Sequence, residues 1–219
     1  MIIPHRVELL YPVWPITNFV ITGLCGVAFV GSLAGFDRFL EGIVLESWNP
    51  LELLFSSLLH AGLLHLLLNM VFLWVFGNAI CAKFGNIKYL GIFFGGALFL
   101  AAIHLLFDGR PAVGASGAIY TVLGIFVALY PVNRIHSFYW FISIWGSTGI
   151  KAYWLIGFWF ATDVYGVVSG SESGVAFWAH IGGFVFGIVF GLLALKNDWL
   201  EMSHHDNETL LDILAQRKV

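Results

Sequence analysis

Three short groups of polar residues have the types and the spacing that nucleophilic catalysis requires. The first is His65-Leu-Leu-Leu-Asn69, where a spacing of four residues places an imidazole and an amide on one helical face. Their N–H groups could converge on one oxygen atom, and His60 precedes them on the same segment. Taken alone, His65 and Asn69 favour a more ordinary role, which is to hydrogen-bond neighbouring helices.

The second group is Gly114-Ala115-Ser116-Gly117, which opens a short apolar segment that ends before Pro131. As a helix, that segment would measure about 22 Å, less than the roughly 30 Å of a bilayer's hydrocarbon core. We therefore expect Ser116 to lie below the membrane surface, in a wet pocket at a helix N-terminus that favours negative charge. The alternative is a simple N-cap serine.

The third group is Ala179-His180-Ile-Gly182-Gly183, which introduces a histidine beside small residues. Small residues recur every four positions in this segment, which permits close helix approach; this stripe is Ala179, Gly183, Gly187 and Gly191. A second stripe with the same spacing begins at Ser116 and consists of Ser116, Tyr120, Gly124 and Ala128. If the stripes face each other, His180 and Ser116 could form a hydrogen bond. Otherwise His180 would bond a backbone carbonyl. Together the three groups supply a hydroxyl, a possible base and oxyanion donors.

The composition indicates that these groups lie in a polytopic membrane protein. Of the 219 residues, 59% are hydrophobic and 11% charged, and mean hydropathy is +0.88, whereas soluble domains carry about 25% charged residues. The net charge of −3 argues against a nucleic-acid partner. Six apolar segments are candidate membrane-spanning helices, and they are Ile16–Gly35, Leu63–Ile80, Tyr89–Phe107, Ser116–Tyr130, Ala152–Val168 and Val175–Leu195.

These segments predict an all-α bundle of six transmembrane helices. The first is expected to stay uncleaved, because it exceeds the roughly 15 apolar residues of a signal peptide's core. Residues 132–150 are rich in aromatics but too short in uninterrupted apolar length to cross, so we expect a membrane-hugging connection. His104 and Asp163 are expected to bond within the bundle or near its outer interface, a role in proton movement being the alternative.

Charge orients the bundle with both termini in the cytoplasm. Only Arg38 and Arg110 then lie outside, while the cytoplasmic side carries Arg6, Lys83, Lys88, Arg134, Lys151, Lys196, Arg217 and Lys218, as the positive-inside rule requires. The predicted organisation is a cytoplasmic segment 1–15, a membrane domain 16–195 and a polar cytoplasmic tail 196–219, in which Thr209–Arg217 could form a short amphipathic helix.

The ordered set of motifs resembles the rhomboid family from about Leu51 to Gly191. The resemblance implies a Ser–His dyad with Ser116 as nucleophile and His180 as base. It also implies an oxyanion site, which comprises Asn69, His65 and the Ser116 backbone N–H. Four supporting residues are implied as well: Gly114, Gly117, His60 and Tyr120. Of these, Gly114 would leave room for the loop and substrate, and Tyr120 would pack on the His180 ring. Two departures concern scaffold and loop: Asn49 follows Trp48 where members often have Arg, and Cys81 stands where many have Glu.

The resemblance further implies a serine endopeptidase that cleaves membrane-anchored proteins within or beside their transmembrane segments, with no metal and no other cofactor. We expect it in a bacterial cytoplasmic membrane, with the lipid bilayer around it and its site toward the outer face. The alternatives are a non-catalytic rhomboid-like binder of transmembrane segments and a narrower rhombosortase-like enzyme. A small transporter would predict inverted repeats, which we do not find. The oligomeric state stays open.

Overall fold

The structure is a computed structural model that describes residues 2–9, 12–36, 40–141, 144–171, 174–202 and 206–216. Helices dominate it, and the elements in chain order are β1 (Ile2–Val7), α1 (Ile16–Leu33), α2 (Pro50–Phe55), a 3₁₀ turn (Ser56–Leu58), α3 (Leu63–Phe84, with a π-helical stretch at Leu73–Gly77), α4 (Asn86–Phe107), α5 (Ser116–Leu129), β2 (Arg134–Phe141), β3 (Ile144–Lys151), α6 (Ala152–Val168), α7 (Phe177–Lys196) and α8 (Leu210–Gln216).

Each of the six predicted apolar segments coincides with a helix. Four of these, α1, α3, α4 and α7, have 18 to 22 residues and are long and apolar enough to cross a bilayer, while α5 and α6 are shorter. Many large apolar side chains on these helices are exposed, which suits a surface solvated by lipid rather than water. The chain is therefore a mostly helical integral membrane protein.

The expectation of an all-α fold was wrong for the N-terminal segment and for residues 132–150. Strands β2 and β3 form an antiparallel hairpin, and β1 pairs with β2 to complete a three-stranded sheet. The hairpin residues are largely aromatic and β-branched, which favours a pleated strand over a helix. Ile135 is buried on one face while Phe138, Trp140 and Trp145 are exposed, so the connection is a β-ribbon whose exposed face carries aromatic side chains.

Contacts outside the helices define two ends of the bundle. At one end, β1 pairs with the α5–α6 connection, and Lys83 at the end of α3 forms a buried 2.7 Å ion pair with Asp206 of the tail. At the opposite end, Leu45 pairs with Ala112 in an isolated bridge. The N-terminus, the hairpin and the tail thus share one side. Three of the charged residues used to orient the chain, Arg38, Arg217 and Lys218, lie outside the described residues.

The predicted tail helix is present as α8. Its first turn is closed by Thr209, whose hydroxyl accepts a 3.2 Å hydrogen bond from the backbone N–H of Asp212, while the Asp212 carboxylate accepts one of 2.9 Å from the Thr209 N–H. This reciprocal arrangement is a capping box, which fixes a helix start even in a short segment. The last residue of the predicted range, Arg217, is outside the described part of the chain.

Helix α5 forms the centre of the bundle, and its closest neighbour is α7. A side chain at Gly187 would lie 2.1 Å from the Thr121 carbonyl oxygen, and one at Gly191 would lie 2.6 Å from the Ala128 Cβ. The lower parts of the two small-residue stripes therefore face each other, which is the condition stated above for a hydrogen bond between His180 and Ser116. Because only a missing Cβ allows backbone atoms to approach so closely, these glycines set the distance between α5 and α7.

The π-helical stretch of α3 packs against a buried polar network around Asn18 of α1. The Leu73 carbonyl accepts the i+5 hydrogen bond of the π turn from the Asn78 backbone N–H, and it also accepts one of 2.8 Å from the Asn18 amide. The same amide donates to Asn78 at 2.7 Å, and its carbonyl accepts from the Tyr89 hydroxyl at 2.7 Å. Every polar atom of the Asn18 side chain is therefore satisfied, which fixes α3 against α1 below the segment that carries His65 and Asn69.

Candidate active site

Ser116 and His180 form a hydrogen bond between the first turns of α5 and α7. The Ser116 Oγ lies 2.9 Å from His180 Nε2, and the His180 side chain is 10% exposed. The cap residue of α5 is Ala115, and the Ser116 side chain makes no capping bond. Ser116 is therefore not a capping serine. His180 is bonded to the Ser116 hydroxyl and not to a backbone carbonyl.

Tyr120 lies one turn below Ser116 and stacks on the imidazole of His180. The ring centroids are 4.2 Å apart and the planes differ by 8°. A stacked ring restricts rotation of the imidazole and excludes water from one of its faces. The structure thus brings together Ser116, Tyr120 and His180. The distance between Ser116 and His180 depends on the same packing of α5 against α7 that the glycines further along α7 allow.

Asp163 on α6 also belongs to this cluster, and sequence reasoning gave it no catalytic role. Its Oδ1 lies 2.9 Å from His180 Nδ1, and its Oδ2 accepts a hydrogen bond from the Tyr120 hydroxyl. The expectation that Asp163 bonds within the bundle is met. A usable signal was present in the sequence, because a buried carboxylate in an apolar span requires a donor, and His180 begins the next span on the same side.

His65 lies against the loop that leads to Ser116. Gly114 has φ +129, a left-handed conformation that suits glycine, and a Cβ there would meet the His65 ring at 2.7 Å. Gly114 therefore makes room for the His65 ring, in addition to the room for loop and substrate that the family resemblance implies. The His60 ring stands edge-on to His65 at 5.1 Å. The Asn69 amide donates at 2.8 Å to the His65 carbonyl, which occupies one of its two N–H groups.

The backbone at the start of α5 supplies further donors. The first N–H groups of any helix have no carbonyl partner within it, and Ser116 is the first residue of α5. Gly183 permits the close approach of α7, because a Cβ there would lie 2.9 Å from the Gly117 carbonyl oxygen, while a Cβ at Gly117 itself would lie 3.0 Å from the Leu100 side chain of α4. The N–H groups near Ser116, the His65 ring and the free N–H of Asn69 are the donors that could serve an oxyanion.

A small cavity adjoins Ser116. Its volume is about 50 Å³, and its polar lining comes from Ser56, Ser57 and His104. That space can hold a few water molecules. The His104 ring donates at 2.7 Å to the Arg110 carbonyl, which ties α4 to the loop before Ser116, as expected for a residue bonded within the bundle.

An ion pair outside the membrane stabilises the same loop. Arg110 contacts both carboxylate oxygens of Asp108, at 2.5 and 2.9 Å, and these hydrogen bonds hold the pKa of the Asp108 carboxyl below its usual value. Because the charged carboxylate is the favoured form, the pair persists as the pH falls below the value at which an ordinary aspartate would take up a proton. This ion pair in the loop ahead of Ser116 is therefore present throughout the neutral pH range.

The fold and the cluster define a polytopic membrane protein with a serine and a histidine hydrogen-bonded between two crossing helices. Residues 47–197 match the family model of the Rhomboid domain. The chain belongs to the rhomboid family, as the ordered motifs predicted.

The named relatives include one protease and several rhomboid-like proteins. The chain is 24% identical to the rhomboid protease GlpG of Haemophilus influenzae over 82% of its own length and 91% of that protein. It is 30% identical to the mitochondrial presenilin-associated rhomboid-like protein A of Danio rerio, covering 63% of this chain and 36% of the relative. It is 32% identical to RHOMBOID-like protein 4 of Arabidopsis thaliana, covering 68% and 34%. The chain thus spans about a third of the length of several curated relatives that it matches.

Proposed function

We propose that this protein is an intramembrane serine endopeptidase that cleaves membrane-anchored proteins within or next to their transmembrane segments. The observation that carries the proposal is the 2.9 Å hydrogen bond between Ser116 and His180, held between apolar helices. A serine hydroxyl is a weak nucleophile unless an adjacent base accepts its proton. Kinship with a relative named as a protease adds support, and a non-catalytic binder would have no need of this pair.

In the proposed reaction, a substrate segment enters near the start of α5 and its scissile carbonyl meets Ser116. His180 accepts the hydroxyl proton at Nε2 as the Oγ–carbon bond forms, and later returns that proton to the leaving amine. The developing oxyanion would be held by the Ser116 N–H, His65 and Asn69, each donor being worth about 10²–10³ in rate. Water from the adjoining cavity would then hydrolyse the acyl-enzyme.

The proposed topology is six membrane crossings with both termini in the cytoplasm of a bacterial cell and the site toward the outer face. Its support is the division of contacts between the two ends, since β1, the hairpin and the tail share one side. That arrangement requires an even number of crossings between these segments. Helix α5, with 14 residues, would measure about 21 Å, so Ser116 would lie below the outer membrane surface.

The test uses the purified full chain in liposomes with a reporter protein anchored by one transmembrane helix. Ser116→Ala should abolish cleavage and labelling by a fluorophosphonate probe, and His180→Ala should abolish labelling as well. Ser169→Ala is the matched control, because its hydroxyl bonds only its own helix, at the Gly166 carbonyl; it should cleave at the wild-type rate. Cleavage that survives in Ser116→Ala would overturn the proposal, and reporter binding without labelling of wild type would favour the non-catalytic alternative.

A further inference from the structure

Asp163 is a buried carboxylate for which the Ser–His pair offers no role. It is 4% exposed, and taking a charged carboxylate out of water costs several kcal/mol unless hydrogen bonds compensate. Two donors meet it, one from α5 and one from α7: the Tyr120 hydroxyl and His180 Nδ1. Both partners are themselves part of the candidate site, so the carboxylate is held by the very groups that a catalytic serine needs.

The carboxylate determines which nitrogen of His180 carries the proton. An ionised carboxylate only accepts hydrogen bonds, so Nδ1 of a neutral His180 must be the protonated nitrogen. Nε2 is then left with its lone pair directed at the Ser116 hydroxyl, 2.9 Å away. Without such a partner the two neutral forms of an imidazole compete, and the form protonated on Nε2 cannot accept the serine proton.

Tyr120 fixes the carboxylate in turn. Its hydroxyl donates to Oδ2, which leaves Oδ1 toward His180, while its ring stacks on the imidazole at 4.2 Å. The ring and the hydroxyl of one residue therefore act on both members of the Asp163–His180 pair. As Nε2 takes the proton of Ser116, the positive charge that forms on His180 lies beside the negative charge of Asp163.

We propose that Asp163 is a positioning residue that makes the site a Ser116–His180–Asp163 triad rather than a dyad. This inference rests on the proposed protease function. It assigns Asp163 no contact with substrate: it acts only through His180, by holding the imidazole in the tautomer and orientation in which Nε2 is the base and by stabilising the imidazolium. Tyr120 is the second positioning residue, because it orients the Asp163 carboxylate.

The decisive variant is Asp163→Asn, which keeps the shape of the side chain. The Tyr120 hydroxyl needs an acceptor, so it should hold the carbonyl oxygen of the new amide and turn the NH₂ toward His180. That NH₂ would donate to Nδ1 and place the imidazole proton on Nε2, which is the inactive form. We expect kcat to fall about 10- to 100-fold, as for loss of one hydrogen bond to a charged group, with KM unchanged within about twofold.

The control is Thr162→Val, the adjacent position on α6. The Thr162 hydroxyl is exposed and bonds only the Trp159 carbonyl of its own helix, at 2.6 Å, so kcat should equal that of wild type. Tyr120→Phe keeps the stacked ring but removes the donor to Asp163, and should lower kcat less than Asp163→Asn does. Thermal unfolding of each variant separates positioning from loss of fold.

A spectroscopic measurement tests the inference without any Asp163 variant. In wild type with ¹⁵N-labelled histidine at neutral pH, the His180 signals, assigned by their loss in His180→Ala, should show Nδ1 protonated and Nε2 unprotonated. A folded Asp163→Asn protein with wild-type kcat, or a wild-type His180 protonated on Nε2, would overturn the triad. In either case loss of cleavage in Ser116→Ala would leave the protease proposal intact, whereas survival of cleavage there would overturn the protease proposal itself.

Discussion

The contact between α5 and α7 predicts that a single methyl group two turns from the site reduces catalysis. Gly187 lies about 10 Å along the helix from His180. In a Gly187→Ala variant the new Cβ would fall 2.1 Å from the Thr121 carbonyl oxygen, whereas ordinary contact begins at about 3.4 Å. The obstacle is backbone, which no rotamer change can relieve, so the helices must separate by about 1.3 Å at this level.

That separation is large compared with the tolerance of the Ser116–His180 hydrogen bond. If α7 moves as a rigid body, the Oγ–Nε2 distance grows from 2.9 Å to about 4 Å, beyond hydrogen-bond range. A displacement of about 1 Å in a catalytic group costs on the order of 10²-fold in rate. We therefore expect kcat to fall about 100-fold, with overpacking lowering the stability of the variant by about 1–3 kcal/mol.

The assay measures both cleavage of the anchored reporter and the rate of fluorophosphonate labelling, on protein whose thermal unfolding shows that it is folded. Gly95→Ala on α4 is the control, because a Cβ there meets nothing within 4 Å; it should match wild type in every measurement. A folded Gly187→Ala protein that cleaves and labels at the wild-type rate would refute the idea that this glycine sets the distance between nucleophile and base.

Three further predictions follow from other contacts. Gly114→Ala should lower the unfolding temperature and impair cleavage, because a Cβ is strained by about 1–3 kcal/mol at φ +129 and meets the His65 ring at 2.7 Å; unchanged kcat would contradict this. Lys83→Ala removes the ion-pair partner of the buried Asp206 and should cost about 3–5 kcal/mol in denaturant unfolding, a loss below 1 kcal/mol arguing against the pair. A polarity-sensitive fluorophore on Trp145→Cys should emit at shorter wavelength in liposomes than in water, since an exposed tryptophan favours the headgroup region; water-like emission would contradict membrane contact.

Sequence alone could predict the helices and the small-residue stripes on α5 and α7 because both depend on local patterns. Apolar length indicates a membrane-spanning helix, and a small residue at every fourth position marks one helical face. Gly187 and Gly191 were identified in this way, and their contacts with α5 are as expected. The close approach of Ser116 and His180 required one further assumption, that the two stripes face each other, and a six-helix chain leaves few other partners for them.

The sheet escaped prediction because its pairing is not local. Strand β1 lies more than a hundred residues from β2, and no motif links Ile3 to Phe138, its partner in the register. Within the hairpin, the structure alternates buried Ile135 and Ser137 with more exposed neighbours, which is the period of a strand. The sequence hides that period, because the buried Ser137 is polar while the exposed Phe138 is apolar.

Asp163 escaped prediction for a different reason, which lies in how α6 packs on α7. Its distance from His180 depends on Gly166, one turn further along α6, where a Cβ would fall 2.5 Å from the Phe177 ring. Phe177 precedes His180 by the same interval by which Asp163 precedes Gly166, so this second contact lies beside the Asp163–His180 hydrogen bond. Missing side chains on α5 and α7 thus let Ser116 and His180 come together, and the missing side chain at Gly166 admits the Phe177 ring, one turn before His180 on α7. A single glycine that admits an aromatic ring from another span has no period in the sequence to reveal it.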